Sequence, residues 1–303
     1  MSTDSPGIPW RGTDPTTAPR VSRFDLPDLG VGVGFRIPHY SYILENRPPM
    51  DWFEVISENF MVDGGSPRYH LRELMKSYPV IQHGVSLSLG SEGDPEHLER
   101  LVALARLTGT PWLSDHVCFT GSAHVNSHDL LPVPYTDDVV AHFVRRIGEV
   151  KAVLGDTVFA IENPSSYLGW KATQMPEWEF VARVVEEADC GVMLDVNNVF
   201  VSSINHGFDP VVYLDAIPAD RVVQIHLAGH SIKEGYRLDT HDGPVCDEVW
   251  DLFAYTIERI GSVSTLVEWD GHIPEWERLS DEASRARELR AASVARRRAR
   301  LGE

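Results

Sequence analysis

The sequence predicts an α/β protein, namely a (β/α)8 or TIM barrel in which parallel strands close around one core. Short apolar segments bounded by turn residues alternate with segments of helical periodicity along most of the chain, as in barrels built from repeated strand-helix units. Each short segment is continuously apolar, which is typical of strands covered on both faces. Almost every one of them ends on a histidine or a carboxylate, as expected where the carboxyl ends of barrel strands meet at one pocket.

Eight segments are predicted as the strands of this barrel. They comprise residues 31–37, 52–57, 80–89, 112–119, 157–161, 191–195, 221–227 and 264–269. A doubly wound open sheet is the competing fold, and it usually carries a glycine-rich phosphate loop after its first strand. Here the glycines of residues 30–34 lie within the first predicted strand and lack the spacing of that loop, so the barrel is favoured.

Helical segments are predicted between most of the strands. They comprise residues 95–108, 137–150, a segment after Pro176, residues 210–216, residues 245–260 and a charged segment from about residue 274. Asp94 and Pro95 are typical of a first helical turn, and Gly109 is typical of a helix end. The connection from Phe119 to Tyr135 is long for a barrel loop, and we expect it to build the rim of the active site.

The chain has 303 residues, of which 43% are hydrophobic, and this is enough for one large core. We expect three parts in order along the chain. Residues 1–28 are predicted as a flexible N-terminal segment, 29–273 as the catalytic barrel and 274–303 as a C-terminal helical, Arg-rich segment. The arginines of the last part are expected on a solvated helix face.

The composition disfavours several classes of function. A formal net charge of −18 repels a phosphate backbone on average, so we expect no nucleic-acid partner. No apolar run approaches the roughly 20 residues that span a bilayer, and the start has no apolar signal-peptide core, so a cytoplasmic protein without a membrane partner is predicted. The three cysteines, Cys118, Cys190 and Cys246, form no Cys-x-x-Cys pair, which argues against a disulfide framework and a thiolate zinc site.

The residues at the predicted strand ends are of types that bind metals. They are Glu54, Glu58, His83, Asp115, His116, Glu162, Asp195, His226 and Glu268, followed by Asn198, His230 and the loop residues Asp239 and His241. A mixed set of imidazoles and carboxylates without cysteine suits iron, manganese or zinc. Because there are too many donors for one ion, we predict two or three ions that share bridging carboxylates and offset the mutual repulsion of the acids.

Each of these residues, taken alone, also has a simpler interpretation. His83 could be a hydrogen-bonded core histidine, Glu162 could cap a helix, and Asp239 and His241 could be solvated turn residues. The joint placement of the donors at successive strand ends, rather than any single residue, favours the metal site.

Seven sequence motifs together resemble those of the multinuclear non-heme iron-dependent oxidative enzymes, a family that includes the oxidase of methanobactin synthesis. The motifs are residues 82–90 (QHGVSLSLG), 114–116 (SDH), 161–164 (IENP), 194–199 (LDVNNV), 205–207 (NHG), 225–230 (IHLAGH) and 239–242 (DTHD). They are long, occur in order and extend the resemblance from about Gly32 to Asp270.

This resemblance implies a xylose-isomerase-like barrel that holds two or three irons in mixed Fe(II)/Fe(III) states and uses O2 as co-substrate. The metal ligands that it implies are His83, His116, Glu162, Asp195, His226, Asp239, His241 and Glu268. Asp115 and Asn198 are implied as further ligands or as partners that orient the imidazoles. Together with His83 and His230, these two residues are expected to take part in catalysis.

The resemblance also implies a substrate and a partner. The expected substrate is a ribosomally synthesised precursor peptide that is oxidised at a cysteine or a neighbouring residue, and the expected partner is a small companion protein that recognises the leader of that peptide. Two other functions remain open at this point: a divalent-metal barrel hydrolase or sugar isomerase, and a non-catalytic, metal-dependent peptide-binding subunit.

Overall fold

The structure is a computed structural model that describes residues 22–122 and 125–302. Its centre is a closed barrel of parallel strands, which confirms the predicted fold. The strands of the barrel, in chain order, are β1 (Val31–Gly34), β2 (Phe53–Ile56), β3 (Val80–His83), β4 (Trp112–His116), β7 (Val158–Glu162), β8 (Gly191–Asp195), β9 (Val222–Ala228) and β12 (Ser264–Glu268). Pairing of β1 with β12, in which Val31 lies opposite Thr265, closes the barrel.

Two antiparallel hairpins lie outside the barrel. The first pairs β5 (Phe119–Ser122) with β6 (Val125–Leu131), and the second pairs β10 (Ser231–Lys233) with β11 (Tyr236–Leu238). The first hairpin occupies most of the connection that the sequence left as a long rim loop. Predicted strand 112–119 therefore divides into β4 and β5, because the chain turns away from the barrel after His116.

Helices surround the barrel on its outer face. They are α1 (Tyr40–Asn46), α2 (Gly65–Met75), α3 (Pro95–Thr108), α4 (Asp137–Leu154), α5 (Glu177–Glu187), α6 (Val196–His206), α7 (Pro210–Ala216), α8 (Asp247–Ile260) and α9 (Trp276–Leu301), with short 3-10 turns at Ile37–His39, Ser57–Phe60 and Ala219–Arg221. Sequence reasoning did not predict α1, α2 or α6.

Helix α6 was missed because its first residues read as polar strand-end residues. It begins directly after β8, where the Asp195 carboxylate accepts a hydrogen bond of 2.6 Å from the Asn198 amide. A side-chain acceptor at this position satisfies one of the free amides of the first helical turn. Asp195 is therefore both a strand end and a helix cap.

Predicted strand 80–89 is too long, since β3 ends at His83. Beyond it the amides of residues 85–87 donate to carboxylates rather than to a neighbouring strand: Val85 and Ser86 to Glu58, and Leu87 to Asp115. A β-carbon at Gly84 would lie 2.4 Å from an oxygen of Asp115. The loop after β3 is thus held by the buried Asp115 and the partly buried Glu58, and it depends on glycine for its close approach.

The interior of the barrel is layered. At the amino-terminal end an apolar layer that contains Trp52, Ile81 and Trp112 is covered from below by Phe24 and Leu26. Most of the other apolar side chains of the strands face outward into a continuous core beneath the helices. Of the predicted flexible segment, residues 1–21 lie outside the described residues.

Helix α9 lies against the barrel and α8. Arginines such as Arg278 and Arg285 are exposed, as predicted, whereas two others are partly covered. The Arg290 guanidinium pairs with Asp28, and Arg297 donates to the backbone carbonyls of Glu258 and Arg259 at the end of α8. The two bonds from Arg297 satisfy backbone carbonyls that the end of helix α8 leaves without partners within the helix.

Helix α3 offers a stability test, because Leu104 is fully buried whereas Leu107 is 36% exposed. We expect Leu104→Ala to lower the free energy of unfolding by about 2–5 kcal/mol through lost burial and cavity formation. Leu107→Ala on the same helix is expected to cost less than about 1 kcal/mol. Denaturant titration followed by circular dichroism measures both, and equal losses would contradict the predicted burial of α3.

Candidate metal centre

The barrel brings the strand-end donors together at its carboxyl end. On four strands the donor follows an inward apolar residue by two positions: Glu54 after Trp52, His83 after Ile81, Glu162 after Ala160 and Glu268 after Leu266. Since strand side chains alternate between faces, all four donors point into the barrel above its apolar layer. Above them lies a cavity of about 260 Å³, whose polar lining includes His83, His116, Glu162, Asn198, Asp239, His241, Glu268 and Asp270.

His83, His116 and Glu162 form the first donor group. One oxygen of Glu162 lies 3.2 Å from His83 Nε2 and 3.0 Å from His116 Nε2, and the ligand atoms of the three residues lie within 4.8 Å of one another. Burial, together with the neighbouring imidazoles, holds the pKa of His83 well below its usual value. Burial also opposes the charged form of His116, but the Glu162 carboxylate outweighs it and raises the pKa of His116 to about 9.

Glu162, Asp195 and His226 form a second group that shares Glu162 with the first. Asn163 fixes the backbone of Asp195, since its side chain accepts from the Asp195 amide at 3.0 Å and donates to the Asp195 carbonyl at 2.9 Å. Burial, and after it the negative charge of Glu162, raises the pKa of Asp195 well above its usual value.

Asp195, His241 and Glu268 form a third group, with Asp239 beside it. His241 Nε2 lies 2.7 Å from Asp239 and its Nδ1 lies 3.3 Å from Glu268. The His241 backbone has a positive φ of 46°, and it is held there by hydrogen bonds from its amide to Gly229 and from the Asp270 amide to its carbonyl. The loop after β11 therefore carries two donors to the barrel strands.

A fourth group, which sequence reasoning only partly anticipated, lies deeper in the barrel and consists of Glu54, His226 and Glu268. Glu54 Oε2 lies 3.0 Å from His226 Nε2 and accepts a bond of 2.6 Å from Gln224. Gln224 in turn accepts from the Trp112 indole. Gln224 and His226 are two residues apart on β9, so their side chains share one face of the strand. This spacing is the sequence signal that could have predicted that both point into the barrel.

The eight predicted metal ligands all fall within these groups or beside them, whereas two of the predicted catalytic residues do not. Asp115 faces away from the centre and accepts from the amides of Leu87 and His116. His230 bonds to Asn197 at 2.8 Å, and Asn197 donates to Asp239. Asn198 lines the cavity, and its side chain donates to the Asn163 carbonyl.

Several side-chain nitrogen and oxygen atoms at or beside the centre are buried and have no partner in hydrogen-bond geometry. They are Glu162 Oε2, Asp195 Oδ2, Asn198 Oδ1, His116 Nδ1 and His241 Nε2. The 3.0–3.2 Å approaches of two imidazoles to Glu162 therefore lack the alignment of hydrogen bonds. Buried polar atoms without partners are costly, and a metal ion accepts such nitrogen and oxygen donors. The donor set thus fits metal binding.

The barrel, the overlapping donor groups and the order of the motifs agree with one family. A family model for the RiPP precursor modification enzymes MbnB/TglH/ChrH matches residues 30–291, where RiPP denotes a ribosomally synthesised and post-translationally modified peptide. The chain belongs to this family. The resemblance drawn from the sequence motifs is confirmed, and as a member of the MbnB/TglH/ChrH family the chain is an enzyme that acts on a precursor peptide.

Curated relatives support the assignment along the chain, although their names state no activity. A UPF0276 protein of Anaeromyxobacter sp. (strain Fw109-5) is 51% identical over 270 residues, which cover 88% of this chain and 95% of that protein. A UPF0276 protein of Caulobacter vibrioides (strain NA1000 / CB15N) is 46% identical over 269 residues, which cover 88% of this chain and 96% of that protein.

Solved structures share the fold of this MbnB/TglH/ChrH member at low sequence identity. A xylose isomerase-like TIM barrel protein from Mycobacterium smegmatis, in complex with magnesium, superposes with a TM-score of 0.59 at 10% identity over 88% of this chain and 98% of that one. D-psicose 3-epimerase from Clostridium cellulolyticum H10 gives a TM-score of 0.54 at 11% identity over 89% and 98% of the two chains. These likenesses show the fold alone. Among the described residues, no helix is both long and apolar enough to cross a membrane.

The three cysteines allow a test of how tightly the chain is packed just beyond β4, where Cys118 lies. Cys118 and Cys190 are buried, whereas Cys246 is partly exposed, and burial raises the pKa of the Cys118 thiol well above its usual value. Because only an accessible thiolate reacts, we expect a thiol reagent to modify Cys246 alone in the native protein. Mass spectrometry of the labelled peptides, before and after unfolding, measures this; rapid native labelling of Cys118 would contradict its complete burial.

Proposed function

We propose that this enzyme is a multinuclear iron-dependent oxidase that uses dioxygen to modify its precursor peptide at a cysteine or a neighbouring residue. The observation that carries the proposal is the overlap of the donor groups. Glu162, Asp195 and Glu268 each belong to two groups whose ligand atoms lie within 4.8 Å. Carboxylates that serve two groups suit adjacent ions, because one carboxylate can bridge them and its charge is shared.

The proposed ligand set follows the three groups that Glu162 and Asp195 link to one another, each of which includes at least one residue of the cavity lining. One ion would be held by His83, His116 and Glu162, a second by Glu162, Asp195 and His226, and a third by Asp195, His241 and Glu268 with Asp239. Imidazole and carboxylate ligands without thiolate suit iron. Bound in mixed Fe(II)/Fe(III) states, iron would supply the electron transfer and dioxygen activation that side chains of these types cannot.

The cavity would orient the reacting side chain of the peptide and exclude water from it. One part of its wall is apolar and includes Ile56, Val85 and Leu130, and Tyr167 stands on the loop after β7. The Tyr167 hydroxyl is fixed by Ser165 at 2.8 Å and by the Asp239 amide at 2.9 Å. A fixed hydroxyl and an apolar wall in the same cavity as the donors can hold a peptide side chain in one orientation.

Different roles are proposed for the residues that the sequence suggested for catalysis. His83 and Asn198 border the cavity, so they are proposed to touch the metal or the substrate. Asp115 and His230 are proposed as positioning residues, since Asp115 holds the loop after β3 through the Leu87 amide and His230 acts on Asp239 through Asn197. A small companion protein that binds the leader of the peptide remains part of this proposal.

The function is tested by co-producing the chain with candidate precursor peptides and the proposed companion protein. We expect at least two irons per chain after anaerobic purification, oxygen uptake on addition of peptide, and a mass change in the peptide. His226→Ala is expected to abolish iron loading and the mass change, whereas His272→Ala, whose side chain is 87% exposed, should change neither.

Full activity with fewer than two irons per chain would contradict the proposal. Turnover without oxygen uptake would favour a hydrolase or isomerase, and peptide binding without any turnover would favour a binding subunit.

Glu54 allows a separate test of how His226 binds metal. If Nδ1 of His226 is the ligand, Nε2 carries the hydrogen and donates to Glu54, a partnership that orients the ring and raises its basicity. We therefore expect Glu54→Gln to weaken iron affinity about 10-fold to 100-fold, measured by competition with a chelator. Glu282→Gln, which alters a buried carboxylate on α9 that pairs with Arg278, is the matched control. Equal affinities in the two variants would exclude this role of Glu54.

A further inference from the structure

Arg36 lies beside the donor groups, although neither the motifs nor the composition pointed to it. It follows β1 by two residues, and its side chain is only 9% exposed. Its guanidinium donates to one oxygen of Asp270 at 2.6 Å and to one oxygen of Glu268 at 3.3 Å. Arg36 therefore joins the first strand of the barrel to the end of the last strand.

Gly34 provides the space for this guanidinium. A β-carbon at Gly34 would lie 2.7 Å from Arg36 Cζ and 2.7 Å from its Nη1, which is closer than non-bonded atoms approach. The planar group thus lies directly over the strand backbone, and a side chain at residue 34 would displace it.

Arg36 bonds only one of the two carboxylate oxygens of Glu268 and only one of those of Asp270. Arg36 occupies Oε1 of Glu268, whereas Oε2 of the same residue lies 3.1 Å from His226 Nδ1 and 3.3 Å from His241 Nδ1. It likewise occupies Oδ1 of Asp270, whose Oδ2 lies 3.6 Å from His241 Nδ1. Each acid is left with a single oxygen that faces the imidazoles of the donor groups.

We propose that Arg36 is a positioning residue that makes Glu268 a one-oxygen ligand and places a permanent positive charge beside the metal centre. This inference rests on the proposed iron centre and adds to it. A planar guanidinium can bond two carboxylates at once, whereas an ammonium is a point charge that cannot reproduce this fork. A nearby positive charge favours the more reduced metal, so it raises the reduction potential.

Three variants separate the orienting effect from the charge. Arg36→Lys keeps the charge but loses the fork, Arg36→Gln loses both, and Gly34→Ala keeps the guanidinium but displaces it. Arg221→Lys is the matched control, because Arg221 is equally buried and pairs with Asp189 at 2.9 Å just before β9, at the amino-terminal end of the barrel.

The measurements are iron content, chelator competition, the Mössbauer spectrum and the reduction potential of the iron-loaded protein, with circular dichroism to establish folding. We expect Arg36→Lys and Gly34→Ala to change the Mössbauer spectrum and to weaken iron affinity about 10-fold. Arg36→Gln should in addition lower the reduction potential, and the Arg221→Lys protein should match the wild type in each measurement.

The possible failures can be told apart. Unchanged Mössbauer spectra in folded, iron-loaded Arg36→Lys and Gly34→Ala proteins would overturn the role of Arg36 while leaving the proposed oxidase intact. The same changes in Arg221→Lys would overturn it as well, because the loss of any buried arginine-carboxylate pair would then produce them, and they would not be specific to Arg36. A wild-type chain that binds no iron would overturn both the role of Arg36 and the proposed function.

Discussion

The concentration of charged groups at the carboxyl end of the barrel is the constraint on which the rest of this structure depends. Glu54, Glu162, Asp195 and Glu268 are almost completely buried within one small volume, where like charges repel and lose their hydration. Burial raises the pKa of Glu54, as it does that of Asp195. Imidazoles and the guanidinium of Arg36 supply positive charge beside this cluster, and the proposed metal ions would supply the rest.

This constraint explains features of the fold that packing alone would not require. Neighbouring polar residues hold the members of the cluster in place. Asn163 bonds the backbone of Asp195, Gln224 bonds the carboxylate of Glu54, and Ser114 bonds His83 Nδ1 at 3.0 Å. Supporting bonds of this kind orient ligands and select the tautomer of each imidazole. A barrel suits this arrangement because its lower, apolar layer supplies stability while the upper layer is free to carry polar groups.

Fold and function are separate conclusions here. Sugar epimerases share the barrel at 11% identity, so the architecture by itself is compatible with chemistry that needs no oxidation. Membership of the MbnB/TglH/ChrH family assigns peptide modification, and the overlapping donor groups support a centre of several ions. Two oxygens that receive no hydrogen bond, Glu162 Oε2 and Asp195 Oδ2, are the atoms through which adjacent ions would be linked.

The sequence by itself determined the barrel, the ends of α3 and most of the donors, because these depend on local periodicity and on the rule that parallel strands end on one face. It also supplied the family motifs. Tertiary structure decided which neighbour of a pair points inward: His116 faces the centre, whereas Asp115 on the same strand faces the loop after β3. Only barrel closure brings Arg36 to Glu268, 232 residues away, since no local pattern records a contact made by the pairing of the first strand with the last.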